Sequence, residues 1–389
     1  MGKYDFDVIT DRRNTNSLKY DFAVQRGKPA DVLPLWVADM DFQTVPEVRE
    51  ALAEKAAHGI FGYSEPDDGY FSAVETWFSK HFGWTPERKR LVLSCSVIFS
   101  LCNLIEAVTE PGDAVIINPP VYYPFGESIL ENNRKLVASD LVYRDGRYLI
   151  DFDDFEQKII KENVKMYVLC NPHNPVGRVW RRDELERLSE ICLKHGVFVV
   201  SDEIHGDFVY PGHEFTSYAT LGETALKHAA ICTSASKTFN LAGLHNSNTY
   251  IYDDEVRQQF LTIQNKKGYS QSNIMGIVAC KAAYTYGEQW HRELVEYLTG
   301  NLWFLRDFLK ENIPGIRLVE PEGTYLAWLD CKGLGYTDTE LNDIIVNKAK
   351  LWLDAGNIFG KPGEYFERIN IACPREVLGD ALQRLKNVF

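Results

Sequence analysis

One lysine in this chain stands in a setting suited to covalent chemistry. Lys237 lies in Ser234-Ala235-Ser236-Lys237-Thr238-Phe239-Asn240-Leu241-Ala242-Gly243, directly after the short apolar run 228–233. Two hydroxyls sit close before it, and Asn240 and Gly243 follow. An amine in such surroundings can be desolvated and held near neutrality, as a Schiff-base nucleophile must be. A solvated lysine in a polar loop would read the same over these ten residues, so the rest of the chain decides.

Three further clusters share the placement of Lys237. Short apolar runs at 90–93, 114–118, 164–170, 196–201 and 228–233 alternate with longer amphipathic stretches. Between two of them, 182–195 puts Leu185, Leu188, Ile191 and Cys192 on one helical face, with Gly196 where a C-terminal cap belongs. Buried strands joined by amphipathic helices imply βαβ units and a mostly parallel sheet flanked by helices, an α/β fold. Run 114–118 leads into Pro119-Pro120-Val121-Tyr122-Tyr123, run 164–170 into Asn171-Pro172-His173-Asn174-Pro175-Val176-Gly177, and run 196–201 into Asp202-Glu203-Ile204-His205. Ligands of open α/β sheets bind beyond the carboxyl ends of the strands, so these clusters and Lys237 are expected to meet in one crevice.

The flanking segments read differently. Residues 1–45 are too irregular for a helix and too polar for a core strand, which predicts an arm packed across another part of the molecule or a partner subunit. Pro46 opens a helix to about 58, a Gly/Pro-punctuated loop follows at 59–66, and 69–82 is helical again. Residues 289–312 form one long amphipathic helix carrying Trp290, Leu294, Leu298, Leu302, Leu305 and Leu309, stopped at Ile313-Pro314-Gly315. Strand-like 323–329, helical 338–350, strand-like 367–372 and a terminal helix after Pro374 complete a smaller α+β domain. The expected division is an arm with part of the small domain at 1–45, a large domain at 46–285 and a small domain at 286–389.

Composition excludes several functions. With 389 residues, 45% hydrophobic and 25% charged, the chain is an ordinary globular protein with room for a large core. A formal net charge of -13 argues against nucleic acid or an anionic membrane as partner. No stretch approaches the ~18 consecutive apolar residues of a membrane span. The eight cysteines are dispersed without a C-x-x-C pair, giving no metal-ligand signature and the expectation of buried thiols in a reducing compartment. The first seven residues are charged and lack an apolar segment, so a cytoplasmic enzyme without a secretory leader is expected.

If Lys237 carries an aldehyde cofactor, a pyridoxal ring needs a carboxylate facing its nitrogen, hydrogen-bond partners at its phenolic oxygen, amides and hydroxyls for its phosphate, and an aromatic cover. Asp202, Asn174 with His205, Ser234 with Ser236, and Tyr122 are the candidates. Each has a purely structural alternative. Asp202 could cap the next helix, Asn174 could form a turn between two prolines, Tyr122 competes with Tyr123, and Arg368 could be a surface edge residue.

The chain resembles the fold-type I pyridoxal-phosphate enzymes of the class I/II aminotransferase family, and within it the MalY/PatB-type cystathionine β-lyase (C–S lyase) branch. The resemblance is nearly end to end. It rests on Trp36-Val37-Ala38-Asp39-Met40-Asp41-Phe42, Gly62-Tyr63-Ser64-Glu65-Pro66, residues 171–177, residues 202–205, the lysine stretch and Arg368-Ile369-Asn370-Ile371-Ala372-Cys373-Pro374-Arg375. It implies pyridoxal 5'-phosphate bound through Lys237, which later removes the substrate α-proton. It implies Asp202 on the ring nitrogen, Asn174 and His205 at the phenolic oxygen, and Tyr122 stacked on the ring. Ser234, Ser236 and the amides around Val97 and Ile98 would hold the phosphate. Arg368 would fork onto the substrate α-carboxylate, with Asn174 and Tyr122 beside it. Tyr63 would reach the neighbouring subunit's site, so a homodimer with shared active sites is expected.

Two departures separate branches. His205 stands where many aminotransferases place a tyrosine, and His245 stands eight residues after the lysine, where they commonly place a phosphate-binding arginine. The lyase branch likewise tends to lack that arginine. The resemblance therefore implies β-elimination from cystathionine, a cysteine S-conjugate or cysteine, yielding a thiol such as homocysteine or hydrogen sulfide, pyruvate and ammonia. The alternatives are an amino-acid aminotransferase and, further off, a non-catalytic regulatory protein.

Overall fold

The computed structural model describes residues 2–389. Its centre is a seven-stranded sheet: β1 (Leu91–Ser94), β2 (Ala114–Ile117), β3 (Lys135–Ala138), β4 (Val164–Cys170), β5 (Phe198–Asp202), β6 (Ala229–Thr233) and β7 (Ser247–Ile251), in the order β1-β7-β6-β5-β4-β2-β3. All neighbours pair in parallel except β7, which runs antiparallel to both β1 and β6. Strands β2, β4, β5 and β6 are therefore co-directional, and their carboxyl ends open on one side. Strands β2, β5 and β6 are buried on both faces, and β4 nearly so, which is why they read as short continuous apolar runs.

Two strands have no such signature in the sequence. Edge strand β3 is partly solvated. Strand β7, Ser-Asn-Thr-Tyr-Ile, is wholly buried although its first three residues are polar. Most of their polar atoms are paired across the core: Ser247 Oγ lies 2.7 Å from Ser94 Oγ, Asn248 Oδ1 accepts from Tyr70 at 2.6 Å, and Thr249 donates to Ser100 at 2.8 Å, while Asn248 Nδ2 is buried without a partner. Paired polar groups can be buried at little net cost, so hydrophobicity does not mark the strand.

Helices α1 (Pro46–His58), α2 (Asp68–Phe82), α3 (Val97–Val108) and α4 (Arg182–Lys194) match the amphipathic segments, α3 lying within a stretch left unassigned. Gly196 follows α4 with φ +66°, a conformation that lets the chain turn at once into β5. The long helix α5 (Glu288–Asn312) buries Trp290, Leu294, Leu298, Leu302, Leu305 and Leu309, the stripe its spacing predicts. Beyond it a four-stranded antiparallel sheet holds β8 (Arg317–Val319), β9 (Leu326–Asp330), β10 (Asp354–Ala355) and β11 (Phe366–Asn370), ordered β8-β9-β11-β10, and helix α6 (Arg375–Lys386) ends the chain. The expected helix 338–350 is broken up. An α-helical stretch, Asp338–Asp343, gives way to a wider π turn, Ile344–Lys348, and Lys350 takes φ +55°.

The N-terminal arm packs on its own chain. Leu33–Pro34 pairs in parallel with Leu351–Trp352, and Trp36 stacks on Trp352 at 4.3 Å. Six cysteines are buried, whereas Cys95 and Cys102 are half-buried, which corrects the expectation of eight buried thiols; all eight are free. Cys95 lies just before α3 and lines a cavity, and Cys102 lies in the middle of that helix. Among the described residues no helix is long and apolar enough to cross a membrane.

Candidate active site

At the carboxyl ends of β4, β5 and β6 lies a cavity of about 190 Å³ that holds most of the expected residues. Lys237 projects into it from a single helical turn, Ala235–Thr238. Ser234 caps that turn, accepting the Ser236 N–H at 3.1 Å and donating to the Asn246 carbonyl at 2.7 Å. Lys237 Nζ donates to the carbonyl of Ala38 at 2.7 Å. Burial pushes its ammonium down to about 8, against an opposing pull from Asp39 and with a further downward push from Arg368. A fraction of the amine is thus neutral near pH 7.

Asp202, the last residue of β5, faces Lys237 from the cavity floor. No helix follows it, so it does not cap one; Oδ1 accepts the Ile204 N–H at 3.1 Å. Burial raises its carboxyl to about 7, and that backbone bond and Lys237 offset the rise only in part. A buried carboxylate so short of positive charge suits a cationic N–H donor arriving with a ligand. His205 is buried one turn further on with Nδ1 unpartnered, and burial together with the charges of Lys237 and Arg368 holds the imidazole neutral.

Arg368 is 3% exposed and occupies β11 between β9 and β10, which corrects the surface-edge alternative. Nη1 donates to Asn174 Oδ1 at 2.9 Å, and Nη2 donates to the Trp36 carbonyl at 2.7 Å and to Asp354. Its Nε is buried without a partner. Because Arg368 takes Asn174 Oδ1, the Asn174 amide is oriented with Nδ2 as its remaining donor. Tyr122 lines the cavity and Tyr123 does not, which separates the two. Burial pushes the Tyr122 phenol up to about 12, so it stays neutral.

The opposite end presents free backbone donors. Ser96 caps α3 by accepting the Phe99 N–H at 3.0 Å, and the first-turn amides of Val97 and Ile98 have no intrahelical acceptor. Ser236 also lines this cavity, whereas the Ser234 hydroxyl proton is already engaged by Asn246. His245 is exposed at the rim with φ +50°. Tyr63 is not brought to this cavity. It is 93% exposed on the 59–66 loop, beside exposed Ile60 and Phe61.

Sequence reading missed Asp354, Asn246 and the carbonyl of Ala38. Asp354 is placed against Arg368 by antiparallel register between two short strands, and a two-residue strand leaves no periodicity to detect.

Comparison with known proteins follows the same lines. Residues 30–385 match the family model for aminotransferase class I and II. Cystathionine beta-lyase PatB of Bacillus subtilis is 39% identical over 382 residues, covering 98% of this chain and 99% of the relative. Protein MalY of Escherichia coli is 33% identical over 388 residues, covering 99% of each. The crystal structure of cystalysin from Treponema denticola, which contains pyridoxal 5'-phosphate, superposes with a TM-score of 0.95 at 35% identity, covering 99% of this chain and 98% of that one. A lysine, a carboxylate and a helix N-terminus meeting at the ends of parallel strands, together with end-to-end similarity, place this chain in the class I and II aminotransferase family.

Proposed function

We propose that the protein is a pyridoxal-phosphate-dependent carbon–sulfur β-lyase acting on cystathionine or a related cysteine S-conjugate. One observation carries the reading: Lys237, Asp202, Asn174 and the first turn of α3 share one small cavity, with Arg368 bonded to Asn174 beside it. The residues present fit the cofactor. Asp202 lacks a cationic partner, the amides of Val97 and Ile98 with Ser236 offer donors for a phosphate, and Tyr122 supplies an aromatic wall. Asn174 Nδ2 and His205, which line the same cavity, would hold the phenolic oxygen.

When bound, the pyridoxal ring supplies an electron sink that acidifies the substrate α-proton. The side chains do the rest. Asp202 keeps the ring nitrogen protonated. Arg368 grips the α-carboxylate through its uncommitted N–H groups. Lys237 would take the α-proton at Nζ, and its ammonium form would then be a proton donor to the thiolate leaving Cβ. Rim residue His245 stands where aminotransferases commonly place a phosphate-binding arginine, which favours elimination over transamination.

Tyr63 and its exposed apolar neighbours support a homodimer in which this loop completes the partner's site. The two sheets support a large domain at 46–285 and a small one at 286–389 joined by the arm. The eight free thiols support a reducing, cytoplasmic setting.

The test is incubation of the purified holoprotein with cystathionine and no keto acid. Release of pyruvate and homocysteine is expected. Turnover only on addition of a keto acid would overturn the lyase reading in favour of an aminotransferase.

A further inference from the structure

Residues 36–42 run past the cavity, which Ala38 lines, without regular secondary structure, and Ala38, Met40, Asp41 and Phe42 are buried, so their polar backbone groups need partners. The Asp41 N–H donates to the Ala372 carbonyl at 2.9 Å, and side chains pair with the carbonyls. The Trp36 carbonyl accepts from Arg368 at 2.7 Å, Val37 and Asp39 from Asn370 Nδ2 at 2.7 and 2.6 Å, and Ala38 from Lys237 at 2.7 Å and Tyr325 at 3.0 Å. The Met40 carbonyl accepts from Arg12 at 3.1 Å and from Asn240 Nδ2 at 3.0 Å, and the Phe42 carbonyl from Asn240 at 2.9 Å. Asn240 Oδ1 closes the ring by accepting the Met40 N–H at 3.0 Å.

Two asparagines carry most of these bonds. Asn240 follows Lys237 by three residues on the large sheet's crevice loop, and Asn370 follows Arg368 by two at the end of β11. We propose that Asn240 and Asn370 are positioning residues that clamp this strap beside the cavity and so fix where Lys237 and Arg368 rest. Both reactive side chains bond strap carbonyls directly, so a displaced strap displaces them. Asn370 holds the carbonyls on either side of Ala38, which accepts from Lys237, and its bond to Val37 lies next to the Trp36 carbonyl that accepts from Arg368. Asn240 anchors the strap beyond the Lys237 contact, through Met40 and Phe42. Tyr325, Arg12 and the Arg12–Asp39 ion pair at 2.6 Å hold the middle of the strap in place.

The proposal rests on the roles given above to Lys237 and Arg368. Asn240 has φ +57°, so Asn240→Gly removes the amide without imposing a new backbone cost, and Asn370→Ala removes the second clamp. Hydrogen exchange on the holoprotein should quicken at amides 36–42 by about tenfold in either variant, with β4 and β5 unchanged. In pyruvate release from cystathionine, Asn370→Ala, which frees both contacts, should lower kcat about tenfold and raise KM about tenfold, and Asn240→Gly, which acts from further along the strap, should lower kcat about threefold with KM within about twofold. Should either variant fail to fold, Asn240→Ser and Asn370→Ser take its place. Unchanged strap exchange would overturn the proposal. So would faster exchange throughout the sheet, or a loosened strap with wild-type kcat and KM. If the unmodified enzyme cleaves no thioether, the lyase reading fails by itself, while strap exchange still decides whether the clamp exists.

Discussion

Arg368→Lys is the most informative single substitution for substrate recognition. The guanidinium reaches Asn174, the Trp36 carbonyl and Asp354 with two nitrogens while a third, Nε, stays buried and unpartnered. That leaves the Nε N–H and one Nη1 N–H as donors for an incoming carboxylate. A lysine ammonium keeps the charge and the pairing with Asp354, but its donors radiate from one atom and cannot serve Asn174, Asp354 and a carboxylate together. Loss of one charge-assisted hydrogen bond is worth about 1.5–3 kcal/mol. At about 1.4 kcal/mol per decade, KM for the amino-acid substrate should rise roughly 10- to 140-fold. Folding should be little affected, because a buried ion pair is retained rather than broken. The assay is steady-state pyruvate release over a range of cystathionine concentrations, with a thermal melt as the folding control. A KM within about threefold of the parent enzyme, at unchanged melting temperature, would refute the carboxylate role of Arg368.

Other expectations follow from the same geometry. Lys237→Ala should abolish thiol release and leave no cofactor attached after borohydride reduction; label found on another residue would refute the lysine assignment. In the cofactor-free chain, acylation of Lys237 followed by mass spectrometry should have its midpoint near pH 8, because burial lowers that ammonium to about 8; a midpoint roughly two units higher, that of an ordinary lysine, would contradict a desolvated amine. Burial raises Asp202 to about 7 and Glu367 to about 8, so the folded cofactor-free chain binds more protons than the unfolded chain once pH exceeds the ordinary carboxylate range. These two groups therefore cost stability as pH rises from about 4 through 7 to 8, and the fall in melting temperature over that range should be smaller in Asp202→Asn and Glu367→Gln. Arg178→Met breaks a buried network in which Arg178 bonds Glu322 and Glu184, each at 2.8 Å, and should cost about 3–5 kcal/mol in denaturant unfolding.

Much of the architecture is legible because burial leaves a periodic mark. Strands β2, β4, β5 and β6 are short apolar runs, and the α5 stripe follows the helical repeat. Strand β7 is illegible because hydrogen-bonded partners from β1, α2 and α3 replace hydrophobicity there. The break after Asp343 falls at the β-branched run Ile344-Ile345-Val346, whose weaker helix propensity is overlooked when the apolar spacing alone is read.

The site divides in the same way. Sequence by itself determined which residues could do the chemistry: a lysine, an aspartate and an asparagine at strand ends, since the residue after a buried strand is placed by the strand. It also identified the arginine, through the family motif around Arg368. Only the tertiary structure decided their states and partners. Burial brings Lys237 and Asp202 to a common range near neutrality, and Asp354 and Asn174 lock Arg368 from distant segments. The seven residues 36–42, expected as part of an arm packed across the molecule or a partner subunit, are held by six side chains drawn from across the chain. A carbonyl's acceptor capacity carries no information about which donor fills it. That choice is made by the fold.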